Sequence, residues 1–218
     1  MTQESIQAQP IVYLIEDDAL VRKALARYLV AEGLRCEDFA TGQEFLDAYE
    51  GYRPACLVTD LQMPGLTGID VQQALGERGW RLPVIFITGY GDVPRAVTAM
   101  KGGAVDFIEK PFQNEVLVEA VRRALVTEEE LLGRERAALA AAGRLQGLTP
   151  RERQVLNMVV EGKANKVIAS ELELSIKTVE FHRAHVMQKM GVESVAELVQ
   201  QVVAARDAGL DPAPEGEA

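Results

Sequence analysis

Short apolar runs alternate with helical patterns through the first half of the chain, and this alternation constrains the fold more than any other feature. Residues 11–15, 55–59 and 84–88 have the length and apolar character of buried strands. A shorter run at 104–108 and a weaker one at 34–39 predict two further strands, the latter at a sheet edge. Strands that alternate with helices predict a parallel sheet with right-handed crossovers.

The second half of the chain is predicted to be wholly helical. We place an α/β domain at residues 10–126, a helical linker at 127–146 and a separate all-α domain at 147–206. Residues 207–218 are rich in Pro, Gly and acidic side chains and are expected to form a disordered tail.

The linker carries a heptad pattern. Leu125, Leu132 and Leu139 recur every seven residues, the spacing of a coiled-coil seam. Two glutamates and an alanine occupy the complementary positions and would fill such a seam poorly. Both a paired helix and a solvated linker helix stay open.

The net charge of −10 argues at first against a nucleic-acid partner, because contacts with phosphates need Lys and Arg. The acidic residues lie mainly outside the helical domain. Residues 147–206 hold 8 basic and 7 acidic side chains, and 8 − 7 gives +1. A charge this small predicts that tight DNA binding needs two copies.

Three features predict a cytoplasmic protein without membrane association. No apolar run approaches the roughly 20 residues that span a bilayer. The polar N-terminus carries Glu4 and does not resemble a secretory signal. Cys36 and Cys56 lie among apolar residues, as small buried packing groups do in a protein of a reducing compartment.

Chemically useful side chains stand at or just past the ends of the predicted strands. They are Glu16 with Asp17, Asp60, Thr88 and Lys110. The topology of a parallel sheet places all of them at one edge. Carboxylates so close together need a compensating cation, and oxygen ligands suit Mg²⁺. The hydroxyl of Thr88 and the charge of Lys110 suit a phosphoryl group, so the set can serve phosphoryl transfer to an Asp nucleophile.

Two neighbours of this set add to the prediction. The peptide bond between Lys110 and Pro111 follows a strand and is a candidate for the cis form, which would aim the lysine. The ring of Phe107 is either a core side chain or an edge-facing one, and both interpretations stay open.

These residues resemble the receiver domain of response regulators. The motifs on which the resemblance rests are Glu16-Asp17, the DLQMPG segment beginning at Asp60, Thr88-Gly89 and Lys110-Pro111-Phe112. The resemblance covers about residues 10–126, and the segments ITGYGDVPRAV and AMKGGAVDFIEKPF look like the FixJ subgroup. It implies a flavodoxin-like, five-stranded parallel sheet of strand order 2-1-3-4-5.

The same resemblance implies a role for each matched residue. Asp60 would accept the phosphoryl group, Thr88 and Lys110 would contact it, and Phe107 would be a rotating switch aromatic. Mg²⁺ would be held by the residues Glu16, Asp17, Asp60 and the backbone carbonyl of Gln62. Glu16 stands where the family more often has Asp, which keeps the charge but can change the affinity for the metal.

An enzyme of the haloacid-dehalogenase type would share the Asp nucleophile and Mg²⁺. Such phosphatases have a second Asp two residues after the nucleophile, where this chain has Gln62, which cannot act as an acid or base. We therefore expect no enzyme activity beyond the receiver's own phosphoryl transfer and dephosphorylation.

The helical domain has the pattern of a helix-turn-helix. Thr149 and Pro150 predict the start of its first helix. A short helix at 166–172, with Val167 facing inward, and a longer one at 177–190 are joined by a tight turn, so the second can enter a major groove. An ordinary helical bundle stays possible, whereas a metal site at His182 and His185 lacks further ligands.

This domain resembles the LuxR-type DNA-binding domain through LTPRERQVL and NKVIASELELSIKTVEFHRAHVMQKMG. The resemblance implies DNA contacts from Asn165, Lys166, Lys177, Thr178, Glu180, Phe181, His182, Arg183 and Ala184. Related proteins often carry Lys where Ala184 stands, which leaves the base contacts open. The helix from Ser194 resembles that family's dimerisation helix, although its apolar stripe could equally close the domain's own core.

Together the two resemblances predict a two-component response regulator. A sensor histidine kinase would phosphorylate Asp60, and phosphorylation would control homodimerisation and binding to double-stranded promoter DNA, with RNA polymerase as a further possible partner. A phosphorylation-independent regulator that uses the receiver as a dimerisation scaffold is the alternative. A sigma-factor-like module is a third hypothesis, but it gives the receiver no role.

Overall fold

A computed structural model describes residues 9–89 and 93–211, without the side chains of residues 93–96. The chain divides into two compact units, Met1–Glu130 and Leu131–Ala218. Residues 90–92, part of the ITGYGDVPRAV segment, and residues 212–218 of the predicted tail lie outside this description.

A five-stranded parallel sheet forms the centre of the first unit. Its strands are β1 (Ile11–Ile15), β2 (Arg35–Phe39), β3 (Ala55–Asp60), β4 (Val84–Thr88) and β5 (Asp106–Glu109). Their order, β2-β1-β3-β4-β5, confirms the predicted topology, with β2 at an edge. β5 begins two residues later than predicted, because Ala104 and the bend at Val105 still connect the preceding turn to the strand.

Helices cover both faces of this sheet. They are α1 (Ala19–Ala31), α2 (Gly42–Ala48), α3 (Gly68–Glu77), α4 (Val93–Lys101) and α5 (Asn114–Gln146). Alternate residues of β1 serve the two cores: Val12 packs with side chains of α1 and α5, whereas Tyr13 packs with side chains of α2, α3 and α4. All of β1 is therefore buried, as expected for a parallel sheet covered on both faces.

α5 runs through the predicted linker, and its two ends belong to the two cores. Leu125, the first leucine of the heptad pattern, is buried in the core of the first unit. Glu128 is also buried there and forms an ion pair with Arg53. Side chains farther along the helix pack in the core of the second unit; they are Ala141, Ala142 and Leu145. Of the two alternatives for this helix, the solvated linker does not hold at these three buried positions.

The described part of the second unit beyond α5 consists of short helices. They are α6 (Pro150–Val160), α7 (Asn165–Glu171), α8 (Ile176–Met190) and α9 (Val195–Asp207). Thr149 caps α6 in a capping box with Glu152, as its sequence predicts. α7 and α8 are joined by four residues, which confirms the predicted tight turn. No helix among the described residues is both long enough and apolar enough to cross a bilayer.

Two expectations for the second unit are wrong in detail. Val167 is 43% exposed rather than inward, because Ile168 and Ala169 are the residues of α7 that face the core. Disorder was expected from Asp207, yet Asp207 ends α9 and Asp211 is buried. The carboxylate of Asp211 accepts a hydrogen bond from Arg153 at 2.6 Å, which holds this part of the chain against α6.

A strained residue lies in the turn between α7 and α8. Glu173 has φ +54°, a left-handed conformation that costs a residue with a side chain about 1–2 kcal/mol. Glycine removes that cost but loses about 0.5–1 kcal/mol through the greater entropy of its unfolded chain. We expect Glu173→Gly to raise the free energy of unfolding of the second unit by about 0.5–1 kcal/mol.

Urea denaturation, followed through NMR signals of α8, measures this change. Glu173→Asn should also stabilise the unit, because Asn tolerates the left-handed conformation. A loss of stability in both variants would contradict the strain account.

Candidate functional site

The ammonium group of Lys110 binds two carboxylates at the carboxyl edge of the sheet. Its Nζ lies 2.8 Å from Oε2 of Glu16 and 2.6 Å from Oδ2 of Asp60. Burial alone would lower the pKa of Lys110, but the hydrogen bonds and charges of Asp60 and Glu16 outweigh it and raise that pKa. Three residues from the ends of three different strands thus converge, as the sequence predicts.

The carboxylate of Asp60 is fixed in one orientation. Its Oδ1 accepts a hydrogen bond from the backbone N–H of Gln62 at 2.9 Å, while Oδ2 faces Lys110. The backbone behind it is closely packed, since a Cβ added at Gly68 would lie 2.5 Å from the carbonyl oxygen of Asp60. Only glycine fits there, so the first residue of α3 can approach the end of β3.

A three-carboxylate cluster lies in this pocket. One carboxylate oxygen each from Glu16, Asp17 and Asp60 lies within 4.8 Å of the others. Glu16 and Asp60 are buried, whereas Asp17 is exposed. Oxygen donors at this spacing fit a hard divalent cation that keeps part of its water shell.

The structure places the other predicted residues of the pocket on neighbouring strands. Thr88 ends β4 with its side chain buried, and its hydroxyl donates to the carbonyl of Gly89 at 3.1 Å. The backbone N–H of Lys110 donates to the carbonyl of Thr88 at 2.7 Å, which holds the two strand ends together. Phe107 is half-buried and packs against the core on the α2, α3 and α4 face. The peptide bond between Lys110 and Pro111 is cis, as predicted.

Sequence reasoning missed two residues that shape the loop after β1. Arg22 donates from Nη1 to the carbonyl of Glu16 at 2.7 Å and forms an ion pair with Asp38 at 3.2 Å. Asp18 caps α1 by accepting from the N–H groups of Val21 and Leu20, and these hydrogen bonds hold the pKa of its carboxyl below the usual value. The signal for Asp18 was available, because an Asp just before a helix is a common N-cap.

The predicted DNA-contacting residues lie on α7 and α8. Those that are exposed are Lys166, Lys177, Glu180, Phe181 and Ala184, while Asn165, Thr178, His182 and Arg183 are half-buried. Arg183 donates to Oδ1 of Asn165 at 2.8 Å, so one predicted contact residue orients another across the two helices.

Lys189, in the last turn of α8, forms an ion pair within its own domain. Its Nζ lies 2.7 Å from Oε2 of Glu152, whose side chain is 5% exposed. The same oxygen accepts from the backbone N–H of Thr149 at 2.8 Å. Glu152 therefore joins the start of α6 to the last turn of α8, and the capping pattern of Thr149 and Glu152 was its only sequence signal.

The ionisation of Glu152 makes the stability of the second unit depend on pH. The hydrogen bond from Lys189, followed by that from the N–H of Thr149, lowers the pKa of Glu152 from 4.5 to about 2. Because the folded-state pKa is lowered, the stabilisation is fully present above pH 4.5 and is lost as the pH falls towards 2.

We expect Glu152→Gln to lower the free energy of unfolding of this unit by about 1–2 kcal/mol at neutral pH. The difference from the unsubstituted chain should shrink between pH 4.5 and pH 2, as urea denaturation monitored at α8 would show. Glu193→Gln, at an exposed position, is the matched control and should behave like the unsubstituted chain. A difference that stays constant with pH would contradict this role of Glu152.

Comparisons with known proteins find similarity in both units. Residues 12–122 match the response regulator receiver domain, and residues 146–202 match the bacterial regulatory proteins of the luxR family. The transcriptional regulatory protein FixJ of Azorhizobium caulinodans is 44% identical over 202 residues, which are 93% of this chain and 96% of that protein. The response regulator protein TodT of Pseudomonas putida is 40% identical over 194 residues, 87% of this chain and 84% of that protein.

Two solved structures are similar to this chain in three-dimensional structure as well as in sequence. The response regulator StyR superposes with a TM-score of 0.77 at 37% identity, covering 90% of this chain and 99% of that one. Full-length FixJ from B. japonicum gives a TM-score of 0.57 at 41% identity, covering 90% of this chain and 97% of that one. The likeness therefore spans nearly the whole described chain.

Proposed function

Because this chain belongs to the two-component response regulators that carry a LuxR-type DNA-binding domain, we propose that phosphorylation of Asp60 by a sensor histidine kinase controls its binding to double-stranded promoter DNA. Proteins of this family regulate transcription through phosphorylation, and the resemblance to the FixJ subgroup is confirmed. The observation that carries the proposal is the convergence of Lys110 on Asp60 and Glu16.

In this proposal the carboxylate of Asp60 is the nucleophile. One of its oxygens attacks the phosphorus of a phosphohistidine on the kinase, so that an O–P bond forms while the P–N bond breaks. The electron pair of the broken bond returns to the imidazole nitrogen of the kinase. Lys110 neutralises the charge of the transferred phosphoryl oxygens, and the hydroxyl of Thr88 donates a hydrogen bond to them. Hydrolysis of the acyl phosphate resets the protein, and no other enzyme activity is proposed.

The acidic cluster supports the assignment of Mg²⁺. Glu16, Asp17, Asp60 and the backbone carbonyl of Gln62 are the groups that would hold it, since three of them already place oxygens within 4.8 Å of one another. When bound, Mg²⁺ supplies positive charge that offsets the carboxylates and the phosphoryl oxygens. Glu16 preserves the negative charge that this donor set requires.

The phosphorylated pocket would act on a neighbouring surface. Thr88 moves towards the phosphoryl oxygens, Phe107 follows inward, and the surface formed by α4 and β5 changes shape. This surface then forms a homodimer or releases the DNA-binding helices. A shift from 1:99 to 99:1 between two states needs only about 5.5 kcal/mol of differential stabilisation.

The proposed DNA contacts divide into two kinds. Lys177 and Arg183 bind phosphates, as do the polar groups of Asn165, Lys166, Thr178 and His182, and these contacts position the domain. Glu180 accepts from a cytosine amino group, and Phe181 or Ala184 contacts a thymine methyl group. Because this domain carries a charge of only +1, two copies bind half-sites roughly 34–36 Å apart, or a multiple of that distance. RNA polymerase is a further partner in this proposal. The proposal also places the protein in the cytoplasm.

Replacement of Asp60 tests the phosphoacceptor. We expect Asp60→Asn to abolish labelling by radioactive acetyl phosphate, because an amide oxygen is too weak a nucleophile to form the acyl phosphate. Asp47→Asn, at an exposed position of α2, is the matched control and should label normally. Labelling of Asp60→Asn at the normal level would show that Asp60 is not the phosphoacceptor.

Stabilisation by metal tests the acidic cluster. Mg²⁺ at about ten times its dissociation constant should raise the free energy of unfolding of the first unit by about 1.4 kcal/mol. Urea denaturation followed by the fluorescence of Trp80, the single tryptophan, reports on this unit. Asp17→Asn should remove most of the effect and Asp47→Asn none of it. Equal stabilisation of all three proteins would place the metal elsewhere.

A further inference from the structure

The outward face of α8 carries one large aromatic ring. Phe181 is 57% exposed, yet its ring contacts that of His185, one helical turn farther along. The two ring centroids lie 4.1 Å apart, and their planes are tilted by 59°. Side chains four residues apart lie on the same face of a helix, so the contact is built into the helix itself. His182 touches the same ring more weakly, with centroids 5.8 Å apart.

His185 lies next to a buried carboxylate on the inner side of α8. Its Nδ1 lies 3.9 Å from Oε1 of Glu152, which is too far for a direct hydrogen bond. The other oxygen of Glu152 accepts from Thr149 and from Lys189, which fixes the carboxylate between α6 and α8. Glu152, His185 and Phe181 thus lie in a row that runs from a buried carboxylate in the first turn of α6 to the exposed ring.

We propose that His185 is a positioning residue that holds the ring of Phe181 in one orientation for contact with a thymine methyl group in the major groove. The inference rests on the proposed DNA binding by α8. A ring that is already fixed loses less rotational freedom when it binds, so the contact contributes more to affinity. His185 acts through Phe181 and makes no base contact of its own.

Other roles for these two side chains fit the structure less well. Among the residues that the structure describes, the only cluster of three or more metal-ligating side chains is that of Glu16, Asp17 and Asp60 in the first unit. The ring of Phe181 is too exposed to serve the core, which on α8 is formed by Val179, Val186 and Met190. An exposed ring that is held by a neighbour suits a ligand better than it suits packing.

The test uses the full chain and a DNA duplex that it selects from a random-sequence library, with and without acetyl phosphate. Each thymine of that duplex is replaced in turn by deoxyuridine, which lacks the methyl group. Fluorescence anisotropy at constant salt then gives the dissociation constants. We expect one replacement in each half-site to weaken binding by about fourfold. We call this loss of affinity the deoxyuridine penalty.

The variants separate positioning from simple affinity. Phe181→Ala should abolish the deoxyuridine penalty, and His185→Ala should reduce it to less than half. The double variant should bind no more weakly than Phe181→Ala alone. His185→Phe, which keeps a ring next to Phe181, should restore the penalty. Lys177→Ala is the control, because loss of a phosphate contact weakens binding to both duplexes equally. Circular dichroism confirms that each variant is folded.

Each other outcome has a definite meaning. A full deoxyuridine penalty in His185→Ala, or no rescue by His185→Phe, would overturn the positioning role. Binding without any deoxyuridine penalty would rule out the proposed contact with a thymine methyl group, but it would not contradict the proposed DNA binding. Failure of the unsubstituted chain to select any duplex would contradict the proposed function itself.

Discussion

The ion pairs of one ammonium group hold the functional edge of the sheet together. Lys110, just after β5, binds the carboxylates of Glu16 after β1 and Asp60 at the end of β3. Without that charge, two carboxylates would be buried side by side, which is unfavourable. The parallel sheet, in the order β2-β1-β3-β4-β5, brings these distant residues to one edge. In the proposed function, a phosphoryl group on Asp60 would rearrange the contacts of Lys110.

The sequence predicted the first unit well because its signals are local. Buried strands are continuous apolar runs, and the residues at their ends carry the chemistry, so topology and pocket followed together. The boundary between the units was harder to predict. A leucine heptad drew attention to Leu132 and Leu139, whereas Ala138, Ala141 and Leu145, at helical spacing, form the buried stripe. Small residues give a weak hydrophobic signal, although their i, i+3, i+7 pattern was present.

Long-range polar pairs outside the Asp60 pocket escaped prediction. Glu128 pairs with Arg53 across 75 residues, and Glu152 pairs with Lys189 across 37. Periodicity places such residues on a helix but does not identify a partner on another element. For the same reason no sequence pattern identified Glu152 as the partner of Lys189. In the second unit, Glu152 joins the first turn of α6 to the last turn of α8, just as Lys110 joins strand ends in the first.

The proposed function requires that phosphorylation of Asp60 changes the affinity of α8 for DNA. The most direct measurement compares the dissociation constant for a selected duplex with and without acetyl phosphate, in the unsubstituted chain and in Asp60→Asn. We expect binding at least about tenfold tighter after phosphorylation, a coupling of about 1.4 kcal/mol, in the unsubstituted chain alone. An unchanged affinity in a chain shown to be phosphorylated, or the same gain in Asp60→Asn, would contradict it and would favour a receiver that serves only as a scaffold.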